Sequence, residues 1–232
     1  IKSNHSATHL LHAALREQLG NHVAQRGSYV APDRLRFDFS HSKQINKIEL
    51  NKINNRVNHF IKQDSRVTTR LMSPDKAIKE GATALFGEKY GDTVRTKRFG
   101  KSNELCGGSH VKNTSEILFF KIINESAIAS GIRRIDAITG DAVISHFEEQ
   151  SHILDKIGSL TKNQDPVKFF ENFLIENNSL KKQIQELNTF KVTTLKEDLK
   201  KIMIKKNKLL FLSREVDLDA NNMKELAFEL GN

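Results

Sequence analysis

Hydrophobic positions in the first 140 residues follow the helical period in some segments and the strand period in others. Residues 5–19 repeat apolar side chains with the helical period, and Asn4 is the predicted N-cap and Gly20 the predicted stop. Residues 34–40 alternate strictly, which predicts a strand with Leu35, Phe37 and Phe39 facing a core. Both kinds of element therefore lie in the same part of the chain.

Further elements continue this mixture. Residues 42–62 are predicted to be a helix, with Ile45, Ile48, Ile53, Val57 and Phe60 as its apolar face, and residues 73–86 a second one that starts with Pro74. Strands are predicted over 94–99, 117–123 and 133–138, of which 117–123 is almost continuously apolar and reads as a buried central strand. Thr139 is the predicted cap of a helix that leaves the domain. The fold class is therefore α+β, with helices packed on a mostly antiparallel sheet.

The last third of the chain has a different composition, because eleven of the 12 glycines lie at or before Gly158 and residues 159–230 contain none. This change predicts a boundary near 158–166 and a helical tail after it. Phe173, Leu180 and Leu187 lie seven residues apart, which fits a pair of packed helices or a short oligomerisation seam. Residues 207–216 are predicted to be a strand and 223–230 the start of a helix that the chain end truncates.

Composition narrows the class of protein. With 232 residues, 38% hydrophobic positions and a net charge of +9, the chain can bury a core and favours an acidic partner such as nucleic acid. A surface rich in lysine for solubility explains the same charge, also in the lysine-rich stretch 181–208. One cysteine excludes an internal disulfide and fits a reducing, cytoplasmic location. There is no signal-peptide pattern and no apolar run long enough for a membrane span. Because the first residue is not Met, we expect a piece of a longer protein.

Four side chains suggest a metal site. His5 and His9 lie four apart on the first helix, so both imidazoles project from one face. Cys106 and His110 flank two glycines that would let the backbone turn sharply. Taken singly, they could be a surface histidine pair, a small buried hydrophobe and a hydrogen-bonded loop residue. Together they form a complete tetrahedral set of soft ligands, which favours Zn²⁺ over Mg²⁺ or Ca²⁺.

Several blocks of the sequence, in order, resemble the editing domain of the alanyl-tRNA synthetase family. They cover about residues 4–144: HSATHLLHAAL from His5, QRGS from Gln25, RLRFDFSH from Arg34, ALFGEKYG from Ala84, ELCGGSH from Glu104 and GIRRID from Gly131. Ser109 stands where the family usually has Thr, and Leu118 where a Gly is common. The resemblance implies a domain that hydrolyses tRNA(Ala) mischarged with serine or glycine. It also implies one Zn²⁺ per chain, held by His5, His9, Cys106 and His110, while ATP and Mg²⁺ would be used only in a missing N-terminal domain.

Further residues are assigned around this site. A second, hydrolytic pocket is needed because an apolar pocket for alanine cannot strongly reject serine, which adds only a hydroxyl. Thr8 precedes His9 directly, and Gln25 resembles the family's site glutamine. With Cys106 they form the expected catalytic set, although Thr8 bonded inside its helix and Gln25 facing solvent remain open. Arg98 and Lys101, from a basic cluster that could equally be a solvated hairpin, and Arg133, by its position in the family, are the expected tRNA contacts.

The predicted organisation has three parts: an editing domain over 1–144, a helical oligomerisation or linker segment over 145–208, and the start of a C-terminal domain over 209–232. Two alternatives remain open at this stage. One is a free-standing trans-editing deacylase. The other is a zinc-stabilised module that binds tRNA or dimerises without catalysis.

Overall fold

A computed structural model describes residues 1–83, 91–161, 165–207 and 209–231. These residues group into two compact units, 1–152 and 153–232. The first unit contains α1 (Lys2–Leu19), β1 (Gln25–Val30), β2 (Leu35–Ser40), α2 (Lys47–Lys62), β3 (Val67–Met72), α3 (Pro74–Lys79), β4 (Val94–Phe99), β5 (Ser102–Leu105), a 3₁₀-helix (Thr114–Ile117), β6 (Phe120–Ala129), β7 (Ile132–Thr139) and the start of α4 (Asp141–Thr161). Among the described residues, no helix has the length and apolar character that crossing a membrane requires.

The main sheet has the order β1-β2-β7-β6, and each neighbouring pair is antiparallel. The alternation in β2 is confirmed, because Leu35, Phe37 and Phe39 are fully buried. They share one core with apolar residues of α1 and α2, among them Leu10, Leu11, Leu15, Ile53 and Val57. Burying each such side chain contributes about 1.5–3 kcal/mol, so the two helices are fixed to the same body as this sheet.

A second, three-stranded antiparallel sheet has the order β3-β4-β5. Helix α1 contacts β5 as well as β1, β2 and β7, so it touches strands of both sheets. The α+β class and the antiparallel pairing are therefore confirmed in the described residues. This placement of α1 sets its first turns beside the loop that follows β5.

Two predicted helix caps are wrong. Asn4 lies inside α1, which starts at Lys2, and its buried amide donates to the backbone oxygens of Ala31 and Pro32 instead of capping. Thr139 ends β7, and its hydroxyl donates to Asn4 Oδ1 at 2.6 Å. The two residues thus join α1 to the main sheet, a long-range use that a local capping rule does not detect. Gly20 does end α1, with a φ of 114°.

The predicted helix over 42–62 starts only at Lys47. Asn46 Oδ1 accepts from the Glu49 backbone N–H, and the Glu49 carboxylate accepts from that of Asn46, which forms a capping box. Ile45 is buried ahead of the helix, whereas Ile48, predicted to face the core, is 69% exposed. The helix predicted from Ser73 begins with Pro74 as expected but ends at Lys79; its predicted end at Phe86 lies outside the described residues.

The apolar run 117–123 is not a central strand. Ile117 closes the 3₁₀-helix, Leu118 adopts a φ of 66°, and β6 starts at Phe120 and forms an edge of the main sheet. The central strands are β2 and β7. An apolar run predicts burial, but several structures can bury the same residues.

The second unit contains the rest of α4, then α5 (Pro166–Lys201), β8 (Ile204–Lys206), β9 (Leu209–Phe211) and α6 (Ala220–Gly231). Val192, Leu199 and Leu226 form its buried cluster, so the end of α5 packs against α6. The predicted strand over 207–216 is wrong in extent, because β8 and β9 form a short hairpin. The helix predicted from Met223 is confirmed as part of α6.

Candidate functional site

Two segments almost a hundred residues apart meet at the start of α1. His5 and His9 lie on α1, and Cys106 and His110 lie on the loop after β5. One ligand atom from each of the four lies within 4.8 Å of the other three. Cys106 Sγ is 3.5 Å from His5 Nε2 and 3.2 Å from His110 Nε2. The structure therefore brings together the four side chains that the sequence predicted to meet.

The two distances from Cys106 Sγ fit a tetrahedral metal ion. Ligand atoms at 2.0–2.3 Å from zinc stand about 3.3–3.6 Å apart. His110 Nδ1 is 3.1 Å from Ser6 Oγ, which leaves its Nε2 for the cluster. His9 Nδ1 is 2.6 Å from Glu104 Oε2, and His9 Nε2 is buried with no hydrogen-bond partner in the part of the chain described here. Such an unpartnered nitrogen beside a thiol is the arrangement that a metal ion completes.

Gly108 allows His5 to approach the loop. A Cβ added at Gly108 would lie 2.0 Å from His5 Cε1 and 2.5 Å from His5 Nδ1, which is an overlap. Neither Gly107 nor Gly108 is among the residues with a positive φ. The chain nevertheless bends at Gly108, and Gly108 is also needed because an imidazole ring occupies the space that a side chain would fill.

The charges around Cys106 favour its thiolate. Burial raises the pKa of this thiol, but hydrogen bonds from His110 and His5 and the positive charge of His9 outweigh burial and lower the pKa to about 3. Burial likewise lowers the pKa of His9, but the carboxylate of Glu104 outweighs it and raises the pKa to about 9. Burial is also the main cause of the lowered pKa of His110. A thiolate with neighbouring imidazoles is the donor set that binds soft divalent metal ions.

Arg95 fixes the backbone of the cysteine loop. Its Nε donates to the Cys106 oxygen at 3.0 Å, and its Nη2 donates to the Gly108 oxygen at 2.9 Å. The Cys106 backbone N–H donates in turn to the Arg95 oxygen. No sequence pattern predicted this role of Arg95, because hydrogen bonds to backbone oxygens leave no mark in a residue pattern.

A cleft of about 380 Å³ opens beside the four side chains. His5, His9 and Cys106 line it together with Thr8 and Gln25, and its further polar lining comes from Ser28, Thr93 and Arg95. Thr8 Oγ1 donates to the Asn4 backbone oxygen at 2.9 Å. This is the hydrogen bond within the helix that the sequence analysis left open as an alternative. Gly91 lines the cleft too, whereas residues 84–90 of the ALFGEKYG block lie outside the described residues.

The residues expected to contact tRNA lie in different surroundings. Arg133 is buried on β7 and forms an ion pair with Glu125. Arg98 lines a second cavity on β4 and donates to the Gly100 oxygen, and Lys101 lines a third cavity with Arg16. Neither of these two lines the cleft that holds Thr8 and Gln25. Their contact with tRNA stays a prediction.

Glu104 is the site residue that the sequence analysis missed. It is 7% exposed and accepts hydrogen bonds from two histidines, and although burial raises the pKa of its carboxyl, the charge of His9 lowers it to about 2. The available signal was its position in the ELCGGSH block, two residues before Cys106. Strand periodicity alone does not show that its partners are histidines on a distant helix.

The chain is similar to several known proteins. Residues 94–136, from β4 into β7, match the family model described as the threonyl and alanyl tRNA synthetase second additional domain. The chain is 55% identical over 231 residues to the alanine–tRNA ligase of Christiangramia forsetii and 48% identical over 231 residues to that of Flavobacterium psychrophilum, with 99% of this chain covered in both. It is 47% identical to that of Acetivibrio thermocellus over 86% of the chain.

The matched segment includes the Cys106 loop, and it places this part of the chain in the class of threonyl and alanyl tRNA synthetase second additional domains. Identity along nearly the whole chain is more specific than the domain alone: the chain belongs to the alanyl-tRNA synthetase family. It spans about a quarter of the length of the relatives that it matches, 26% in the first two.

Proposed function

We propose that this chain hydrolyses the ester bond of tRNA(Ala) mischarged with serine or glycine, at a zinc site formed by His5, His9, Cys106 and His110. One observation carries the proposal: a complete set of soft ligands adjoins a cleft whose walls carry the hydroxyl group of Thr8 and the amide group of Gln25. Family membership supports the same reading, because the relatives are named alanine–tRNA ligases.

A bound zinc ion would polarise the ester carbonyl or lower the pKa of a water molecule to about 7. The residues of the chain would hold the ion and bind the substrate. His5, His9, Cys106 and His110 would hold the ion, and Arg95 would keep the loop that carries Cys106 in place. The amide of Gln25, at the wall of the cleft, would bind the substrate or the attacking water.

Thr8 would provide selectivity for serine. Its hydroxyl hydrogen is used in the bond to Asn4, but a hydroxyl oxygen keeps capacity to accept a further hydrogen bond. A seryl hydroxyl in the cleft could donate to it, whereas an alanyl methyl group would leave it unpaired. Local bonding and substrate recognition are therefore compatible at Thr8.

At the level of the whole enzyme, the names of the relatives support an alanine–tRNA ligase, a cytoplasmic enzyme of protein synthesis. In this proposal ATP and Mg²⁺ act in a part of the enzyme outside this chain. The chain would supply the editing region, and Arg98, Lys101 and Arg133 would contact tRNA. A free-standing editing protein is less well supported, because the matched relatives are about four times longer.

Deacylation of Ser-tRNA(Ala) by the purified chain tests the proposal, with and without a zinc chelator. We expect the chelator and Cys106→Ala each to abolish hydrolysis and to remove one zinc ion per chain, and added zinc to restore only the unsubstituted protein. A full-length relative assayed in parallel shows whether tRNA docking requires further domains. Full activity of metal-free protein in both would refute the zinc mechanism.

One observation favours a second candidate, a structural zinc site without catalysis. Four protein ligands describe a closed site, whereas catalytic zinc sites usually keep one position open. In that case Thr8→Val and Gln25→Ala would leave all functions unchanged, and removal of the metal would unfold the domain. Loss of deacylation in these variants with retained zinc would exclude this candidate.

A further inference from the structure

A buried carboxylate joins two histidines beside the four candidate ligands. Glu104 Oε2 lies 2.6 Å from His9 Nδ1, and Glu104 Oε1 lies 2.9 Å from His12 Nδ1. Ser102 Oγ lies 3.4 Å from Glu104 Oε1 and 3.4 Å from the His9 backbone oxygen. Both histidines are on α1 and Glu104 is on β5, so these bonds connect the two segments that carry the site.

The contacts of the two carboxylate oxygens with the two Nδ1 atoms fix which ring nitrogens carry hydrogen. An ionised carboxylate only accepts hydrogen bonds, so both Nδ1 atoms must be donors. When its ring is neutral, His9 therefore presents Nε2 as the nitrogen with a free lone pair, and this atom has no hydrogen-bond partner among the residues described. The bond to Glu104 thus determines both the tautomer and the direction of the ring.

We propose that Glu104 is a positioning residue that holds His9 in the Nδ1–H tautomer with Nε2 facing Cys106 and His110, and that His12 braces Glu104. His12 is one helical turn after His9, so one face of α1 supplies both donors. Because His12 holds the second oxygen, the carboxylate cannot rotate away from His9. The inference rests on the metal site of the proposed function, but not on hydrolysis.

Glu104→Gln tests this role. The amide has the size of the carboxylate, but the two histidines bond different oxygens, so one Nδ1–H group would face the NH2 donor of the amide. We expect the affinity for Zn²⁺ to fall by about 10- to 100-fold, as for other changes behind a metal ligand, measured by competition with a chromophoric chelator. His12→Leu should cause a smaller loss, and the two substitutions should be non-additive because they act through one contact.

Asp38→Asn is the matched control. Asp38 is also a buried carboxylate, but it pairs with Arg134, with Asp38 Oδ1 at 2.7 Å from Arg134 Nε. Its loss should lower thermal stability and leave the zinc affinity unchanged. An equal loss of zinc affinity in both variants would mean that any buried carboxylate matters, and would overturn the specific role of Glu104.

Long-range ¹H–¹⁵N spectra of metal-free protein with its natural sequence provide a test that requires neither folding of a variant nor zinc. At a pH of about 10, where imidazole is neutral, we expect His9 and His12 both to carry hydrogen on Nδ1. A hydrogen on His9 Nε2 would overturn the proposal. If the protein binds no zinc but shows the predicted tautomers, the proposed function fails and the positioning role of Glu104 stands.

Discussion

At the scale of single residues, Thr8 is the sharpest test of substrate choice. We expect Thr8→Val, which keeps the size of the side chain and removes its oxygen, to lower kcat/KM for Ser-tRNA(Ala) by about 10- to 100-fold. That range corresponds to about 1–3 kcal/mol for a hydrogen bond left unmade in a buried site. Hydrolysis of Gly-tRNA(Ala) should change by less than about threefold, since glycine has no hydroxyl. Deacylation kinetics with both substrates measure the difference, and equal losses would contradict recognition by Thr8.

Substitution by alanine is expected to weaken zinc binding at Gly108 but not at its neighbour Gly107. Gly108→Ala places a methyl group in the ring of His5, so we expect at least about a tenfold loss of zinc affinity, since the ligand must move from a geometry that zinc sites require within about 0.2 Å. Gly107→Ala meets only Arg95 Nη2, at 3.9 Å, which is ordinary van der Waals contact, and should bind zinc normally. Chelator competition with both variants gives the comparison. Normal binding by Gly108→Ala would show that His5 is not needed.

At the scale of elements, α5 carries an apolar face for which we propose an oligomerisation role. Phe173, Leu180 and Leu187 are 47%, 49% and 66% exposed, and their spacing of seven places them on one side of this 36-residue helix. A second copy of α5 packed along this side would bury them. The other interpretation of the spacing, a pair of packed helices within one chain, would bury them without any association.

Leu180→Lys combined with Leu187→Lys separates these alternatives. We expect a dimer for the unsubstituted chain and a shift to monomer for the double variant, measured by sedimentation equilibrium, because four buried charges would face one another. Gln185→Lys, on another side of the helix, is the control and should remain dimeric. A monomer already in the unsubstituted protein would reject the seam in favour of intramolecular packing.

At the scale of the whole molecule, the net charge of +9 fits a polyanionic partner, and strand geometry tests where that partner lies. Arg98 and Lys97 are neighbours on β4, so they point to opposite faces. We expect Arg98→Gln to weaken tRNA binding and to reduce the slope of log K against log salt by about 0.7–0.9, the value for one phosphate contact. Lys97→Gln should leave both unchanged. If only Lys97→Gln weakened tRNA binding, the RNA would lie on the opposite face of the sheet that contains β4.

Much of this architecture can be predicted from local pattern. The alternation at Leu35, Phe37 and Phe39 and the spacing of His5 and His9 each reflect the geometry of a single element. Residue chemistry also limits the metal, since a lone cysteine with three histidines suits zinc. These features depend on residues that are close together in the sequence, so they can be predicted from the sequence alone.

The sequence by itself thus determined the types of α1, α2, β2, β4 and β7, the inner face of β2 and the four candidate ligands. Only the tertiary structure decided that Glu104 contacts His9 and Ser6 contacts His110, that Gly108 makes room for His5, that Asn4 bonds across to β7 and that β6 is an edge strand. The reason is physical: a periodic pattern records whether a side chain is buried. Which distant group it meets depends on packing between segments far apart in the chain, and many partners satisfy the same pattern.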